Sequence, residues 1–337
     1  MFRFVTRRVG TSLGVLGVLT LLTFLLARVL PSDPAVVYAG PKARPDELAR
    51  IREQLGMNES IVVQYFTYMR DLLTGDWGAS LATKQPVLAE LGERLPPTLE
   101  LIAAAMTLAV TLGVALGVLA ARRPGKMLDG AIRVLAIGGV SMPAFWLGLL
   151  LQFLVVGVFG LLPSTGQFSN TLKYESPIAS VTGFPMLDTI LTGNWVAFSD
   201  GLQHLVLPAV TLAAYPLGLT ARMTRAAMLD ALSQDYIFTA RAYGLRERQV
   251  QWVLALRNAL PPTLTITGLA TAYAITGTFF VEVVFNWPGI GQYATQAMLA
   301  VDYPVIMAIT LLGAVGYLVT NLLVDLAQAR IDPRTRL

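Results

Sequence analysis

"LIAAAMTLAVTLGVALGVLAA", Leu101–Ala121, runs for 21 residues without a charged side chain. At 1.5 Å of rise per residue, a helix of that length covers about 30 Å, the thickness of a bilayer's hydrocarbon core. The run is not isolated. Val9–Ala27, Gly201–Ala221, Asn258–Val281 and Tyr303–Val324 are also uncharged, and "VLAIGGVSMPAFWLGLLLQFLVVGVFG" follows Arg133 before the chain turns polar near Ser164. The 337-residue chain is 14% charged and 55% hydrophobic, with a mean hydropathy of +0.61, whereas soluble domains carry about 25% charged residues. The expected fold is an all-α polytopic membrane protein with six transmembrane helices. The first helix is read as retained, because its apolar run exceeds a usual signal core and shows no evident small-x-small exit.

Charge orients these spans. With six of them, Met1–Arg8, Arg122–Arg133, Arg222–Arg257 and the segment from Asp325 share one side and hold sixteen of the twenty-five Lys and Arg residues. The opposing Leu161–His204 carries only Lys173, and Glu282–Asp302 carries no base. The positive-inside rule therefore places both termini in the cytoplasm. Pro31–Leu95 holds seven bases but is long enough to translocate regardless of charge. The net charge of +4 follows from this asymmetry and from anionic lipid, not from nucleic acid.

The expected organisation is a first transmembrane helix plus an extracytoplasmic segment (1–95), a five-helix transmembrane domain (96–327) and a cytoplasmic tail (328–337). In the segment, "RPDELARIREQLG" has Pro before acids, Leu48, Ile51 and Leu55 at helical spacing, and Gly56 at a stop position. The outer loop Leu161–His204, rich in Ser, Thr, Gly and Pro, is expected to fold over the outer mouth. "FNWPGIGQ", Phe285–Gln292, interrupts an uncharged run with Asn, Pro and Gly and reads as an outer turn buried against protein. Pro143, Pro208 and Pro216 fall inside spans, with Gly138, Gly139, Gly277, Gly313 and Gly316 as packing or bending positions.

Several chemistries are excluded. The chain has no cysteine and a single histidine, His204; no phosphate-binding loop and no metal-ligand cluster occur. His204 is expected to be interfacial or hydrogen-bonded. "LPSTG" at Leu162–Gly166 imitates a sorting signal but precedes three further spans. No acid stands at the centre of a span, which argues against an ion-coupled secondary transporter acting alone, the alternative reading. Ser141, Met142 and Trp146 on the third span, with Thr276, Phe279 and Glu282 on the fifth, are polar or aromatic within aliphatic helices and are candidates to line a translocation path.

One stretch breaks the apolar pattern. "QDYIFTARAYGLRERQVQWVLALRNALPP", Gln234–Pro262, gathers four arginines between two spans. Leu229, Leu232, Ser233, Tyr236, Ile237 and Ala240 recur at three–four spacing, predicting one amphipathic helix from Arg222. Gly244 then permits a sharp turn through positive φ, and a new helix re-enters the membrane at Pro261. Ala240, Ala242 and Gly244 predict a small-sided tip suited to a protein groove.

This stretch resembles the cytoplasmic signature of the inner-membrane permease subunits of ATP-binding-cassette importers, in the dipeptide, oligopeptide and nickel branch. Asp235-Tyr236, Thr239-Ala240-Arg241-Ala242, Gly244-Leu245 and Arg257–Pro261 carry it. Further family-like stretches are "LPSDP", "LGMNES", "GDWGASL", "ERLPPTLEL", "SMPAFWLGLLL", "HLVLPAVTLA", "VEVVFNWPGIGQ" and "DLAQARIDPRTR". The resemblance implies a type I importer fold in the bacterial inner membrane and a non-catalytic subunit forming half of a pathway. It implies as partners a second homologous permease, two ATPase subunits and an extracytoplasmic substrate-binding protein. It further implies no cofactor in this chain, with ATP and Mg on the ATPases. It also implies ATPase docking through Asp235, Thr239, Ala240, Arg241, Ala242, Gly244, Leu245, Arg246 and Arg248. Tyr243 departs from the pattern, standing where relatives commonly have Lys, and the outer loop Gln167–Asp200 is long.

Overall fold

The computed structural model describes residues 2–29, 36, 43–54 and 56–331. "LPSDP", Leu55 and the tail from Asp332 lie outside them. The helices, in chain order, are α1 (Phe2–Val29), α2 (Pro45–Gln54), α3 (Ile61–Thr74), α4 (Val87–Arg122), α5 (Met127–Ser141), α6 (Ala144–Val158), α7 (Leu172–Glu175), α8 (Pro185–Leu191), α9 (Trp195–Leu232), α10 (Asp235–Ala242), α11 (Glu247–Val284), α12 (Ile290–Ala300) and α13 (Tyr303–Ile331). Helices α6 and α11 contain π-helical turns at Gln152–Val158 and Val250–Ala255. Contacts divide the chain into two compact units, Met1–Pro96 with Gly289–Gly316, and Pro97–Pro288 with Tyr317–Leu337.

In the first unit α2 starts at Pro45, with Asp46 and Glu47 in its first turn where the helix dipole favours acids, and Gly56 takes φ +61° after its end. The Ser60 side chain caps α3 by accepting from the Val63 amide, and Gly75 closes that helix in the left-handed region. Phe24 of α1 packs edge-on against Tyr65 and stacks on Tyr68 of α3. The core gathers Val87, Leu91, Tyr293, Ala297, Val305 and Ala308. Asp302 is buried, and its Oδ2 accepts from Ser80 Oγ at 2.6 Å and from the Ala82 amide at 3.1 Å.

In the second unit α9 and α11 form the central pair, joined by buried Thr220–Thr267 and Thr224–Thr263 hydroxyl contacts of 3.3 and 3.4 Å. Small residues set the helix spacing. A Cβ at Gly113 or Gly117 of α4 would fall within 3 Å of Thr220 or Thr224. One at Gly139 of α5 would stand 2.6 Å from the Ala214 carbonyl of α9, and one at Gly218 would stand 2.5 Å from the Ala136 carbonyl. Without an attraction of apolar side chains for each other over lipid, such close backbone approach is what holds membrane helices together. Of the other predicted packing glycines, Gly277 meets Leu212 at 3.5 Å, while Gly138, Gly313 and Gly316 have nothing within 4 Å.

The span count is met in part. Among the described residues four helices are long and apolar enough to cross a membrane, and α5 with α6 makes a fifth if the pair is one span. Helix α1 runs for 28 residues and contains the apolar stretch Gly10–Leu25.

The third span bends at Pro143, one of the positions read as packing or bending: α5 and α6 are inclined by 112°. Pro143 has no amide proton and pushes Met142 to an extended φ −85°, ψ 131°. Two sequence expectations are corrected. The amphipathic helix expected from Arg222 is two helices. Leu229 and Leu232 end α9, and Ser233 and Gln234 separate them from Ile237 and Ala240 on α10. "FNWPGIGQ" is a turn only through Gly289, after which α12 supplies an 11-residue helix.

Candidate functional site

The break between α9 and α11 builds an elbow. Helix α10 ends in a left-handed stop, where Gly244 has φ +78°, its amide donates to Arg241 O, and the Leu245 amide donates to Ala240 O. Arg246 is extended (φ −66°, ψ 140°), so α11 restarts at once. The inner face of the elbow is apolar. Ile237 and Ala240 join Val118, Met228, Ala231, Val250, Ala255 and Ala259 in one buried cluster. Asn258 Nδ2 donates to the Tyr236 hydroxyl at 2.7 Å, tying α10 to α11.

The outer face carries the rest of the predicted docking residues. Asp235, Thr239, Arg241, Ala242, Gly244, Leu245, Arg246 and Arg248 are exposed. Ala240 is not: it is 9% exposed and serves the seat of the elbow rather than its tip, because the three–four spacing that makes α10 amphipathic turns Ile237 and Ala240 to the same inner side. Tyr243 is 83% exposed and Phe238 59%, so the tip sets aromatic rings beside the expected small residues Ala242 and Gly244. Arg241 Nε donates to Glu247 Oε1 at 2.8 Å, bridging the two arms across the turn.

A buried charge pair missing from the sequence reading supports the long helices. Asp129, in the first turn of α5, is fully buried and takes a two-pronged contact from Arg225 of α9, with Nε–Oδ1 at 2.6 Å and Nη2–Oδ2 at 2.9 Å. The Gly125 amide donates to Oδ2 at 2.8 Å, and Arg133 stands 3.6 Å away. The signal available was one acid inside the basic segment Arg122–Arg133, which charge counting treats as part of an orientation signal.

The path candidates divide. Ser141, Met142 and Trp146 lie at or just past the 112° bend and are exposed. Thr276 lies on an exposed stripe of α11 with Leu269, Tyr273, Phe280 and Val283, and Phe279 is half-buried beside Phe280. Glu282 does not share that stripe. It is 0% exposed, its Oε1 accepts from Thr98 Oγ1 at 2.6 Å, and its backbone carbonyl accepts from the Trp287 amide. Burial therefore removes Glu282 from any open path and makes it a support of the "NWPG" turn, whose Trp287 ring is buried and donates to Pro97 O.

Carboxylates also order the loop Leu161–His204. Glu100 accepts from Gln167 Nε2 at 2.9 Å and from the Met186 amide at 2.8 Å. Asp188 accepts from the Thr182 hydroxyl and from the Val181, Thr182 and Gly183 amides. Burial opposes the Asp188 charge, but these hydrogen bonds outweigh it and hold the carboxyl below its usual range. His204 Nδ1 lies 2.9 Å from the Asp200 carbonyl oxygen, as a hydrogen-bonded role requires. Among the described residues no three His, Cys, Asp or Glu side chains come together to hold a metal.

Known proteins share this sequence and architecture. Residues 113–337 match the family of binding-protein-dependent transport system inner membrane components, and residues 1–102 match the N-terminal model of the same kind of membrane component. The chain is 43% identical over 325 residues to the probable D,D-dipeptide transport system permease protein DdpB of Escherichia coli K12, covering 96% of this chain and 94% of that protein. It is 39% identical over 336 residues to the dipeptide transport system permease protein DppB of Alkalihalophilus pseudofirmus, covering 100% of each. It is 40% identical over 337 residues to the di/tripeptide transport system permease protein DppB of Pseudomonas aeruginosa, covering 100% of this chain and 99% of that one. In fold it is similar to a chain of the inward-facing MetNI methionine ABC transporter, with a TM-score of 0.55 at 16% identity, covering 73% of this chain and 98% of that one. The chain thus belongs to the binding-protein-dependent transport system inner membrane components, as a multi-pass permease subunit of the inner membrane.

Proposed function

We propose that this permease forms half of the pathway through which an ATP-driven importer takes up di- or oligopeptides. A second homologous permease completes the pathway, and an extracytoplasmic binding protein delivers the substrate. Two cytoplasmic ATPase subunits bind ATP and Mg and perform the hydrolysis. The peptide substrate is supported by the names of relatives that match over their full length. Family membership sets aside the ion-coupled carrier acting alone.

The observation that carries the mechanism is the seating of the elbow. Ile237 and Ala240 are packed into the ends of both α9 and α11, so a force on the exposed tip reaches the two helices of the central pair together. ATPase closure moves the tip, and close-packed helices respond by shifting between discrete arrangements rather than by bending smoothly. Asp235, Thr239, Arg241, Ala242, Gly244, Leu245, Arg246 and Arg248, with Tyr243 and Phe238, form the docking surface. Met142, at the bend, and the Tyr273–Thr276–Phe280 stripe form this subunit's wall of the path, joined by Ser141, Trp146 and Phe279.

Reconstitution tests this reading. Proteoliposomes holding both permeases and both ATPases, supplied with binding protein, take up a labelled dipeptide only with ATP on the ATPase side. This chain alone takes up none under an imposed proton or sodium gradient. Gradient-driven uptake by the lone chain overturns the proposal.

A further inference from the structure

The first unit forms an open-sided cavity of about 300 Å³ between α1, α3, the segment Gly75–Leu81 and the start of α13. None of the residues assigned above to docking or to the path lines it. Its wall combines two kinds of group. Tyr68, Trp77 and Tyr303 present rings, and Tyr68 is held in place by stacking on Phe24 with ring centroids 5.8 Å apart. Glu59, Asp71 and Asp76 present carboxylates, and among the described residues no Lys, Arg or His lines the cavity.

The carboxylates are not all equivalent. Asp71 Oδ1 already accepts from the exposed Arg70 guanidinium at 2.8 and 3.0 Å. Asp76 Oδ1 accepts from the Gly78 amide, a neutral donor that leaves its charge uncompensated. Glu59 and Asp76 are both exposed at the rim. The wall therefore keeps an excess of negative charge beside aromatic faces, and both features favour a cation, the carboxylates by Coulomb attraction and the rings through their quadrupoles. A concave, mainly apolar cavity with a few polar groups is the usual form of a small-molecule site.

We infer that this cavity binds a small organic ammonium ion with an apolar or aromatic body, at a site separate from the translocation path. Its rings take the body, and Glu59 and Asp76 face the charge. The site does not depend on the docking role proposed for the elbow.

The test uses the full chain in lipid nanodiscs and equilibrium dialysis with 2-phenylethylammonium, with uncharged 2-phenylethanol as its control. The account expects saturable binding of the cation that is at least about threefold tighter than that of the alcohol, the size of a cation–aromatic contact at a solvent-exposed site. Glu59→Gln with Asp76→Asn abolishes the preference, whereas Tyr68→Phe, which keeps the ring, retains it. Should the double variant fold poorly, raising salt on the unmodified chain reads the same charge dependence, weakening the cation and leaving the alcohol unchanged. Equal binding of the two probes identifies a lipid-filled crevice and overturns the inference. Absence of saturable cation binding, or a cation preference that survives both salt and the double substitution, also overturns it.

Discussion

Two arginine–carboxylate pairs stand in the second unit and differ chiefly in their surroundings. Asp129 is fully buried and Arg225 is 21% exposed by side chain, whereas Arg241 and Glu247 are 38% and 54% exposed. The first pair ties α5 to α9; the second bridges the arms of the elbow. A buried pair has lost its water, so removing one partner leaves a charge without compensation. An exposed pair exchanges easily with water and salt, and contributes little. The molecule thus fixes its helices with one pair and leaves the other adaptable at the surface proposed to meet an ATPase.

The largest expected effect is therefore at Asp129. Asp129→Ala lowers unfolding stability by about 3 kcal/mol, read as the thermal unfolding of detergent-solubilised protein, and adding Arg225→Met recovers part of the loss. A loss below about 1 kcal/mol breaks the contrast. Next is Gly244→Asp. A side chain there meets no atom within 4 Å, so only the left-handed backbone resists it, at a cost of about 1 kcal/mol. ATP-driven uptake is expected to fall by far more than that loss of stability explains.

The loop carboxylate Asp188 supplies a third, intermediate case. Its folded pKa lies below the usual value, so its stabilisation is complete above the ordinary carboxylate range near pH 4 and is lost as the pH falls through the lower folded value. Hydrogen exchange at the Val181, Thr182 and Gly183 amides, corrected for intrinsic rates, should stay slow at pH 5 and quicken only in stronger acid. Loss of protection already at pH 5 contradicts the assignment. The smallest effect belongs to Arg241→Ala, which changes unfolding stability by less than about 0.5 kcal/mol.

Much of this architecture was legible because a bilayer imposes a length and a polarity on each span. The uncharged runs gave α4, α9, α11 and α13 their places, and Gly244 marked its own turn. Periodicity did not locate the break at Ser233, since Leu232 and Tyr236 keep helical spacing across it. Nor did it reveal the 112° bend, where the apolar pattern continues through Met142-Pro143 and only the missing amide proton interrupts the helix. Ala240 was placed at the tip because small residues suit a groove, yet they equally suit a seat packed against Val250 and Ala259. Asp129–Arg225 and Glu282–Thr98 were hidden for a different reason. Each joins residues far apart in sequence, and one sequence carries no record of which charges meet.

The central claim is that the tip of the elbow meets an ATPase subunit. Because the chain contains no cysteine, a single introduced thiol is labelled without background. Tyr243→Cys and, as its counterpart, Tyr174→Cys, 89% exposed on α7, are each modified with a maleimide–benzophenone and photolysed in the assembled transporter. The account predicts a crosslink to an ATPase subunit from position 243 and none from position 174. No ATPase crosslink from position 243, in a complex that still hydrolyses ATP, contradicts it.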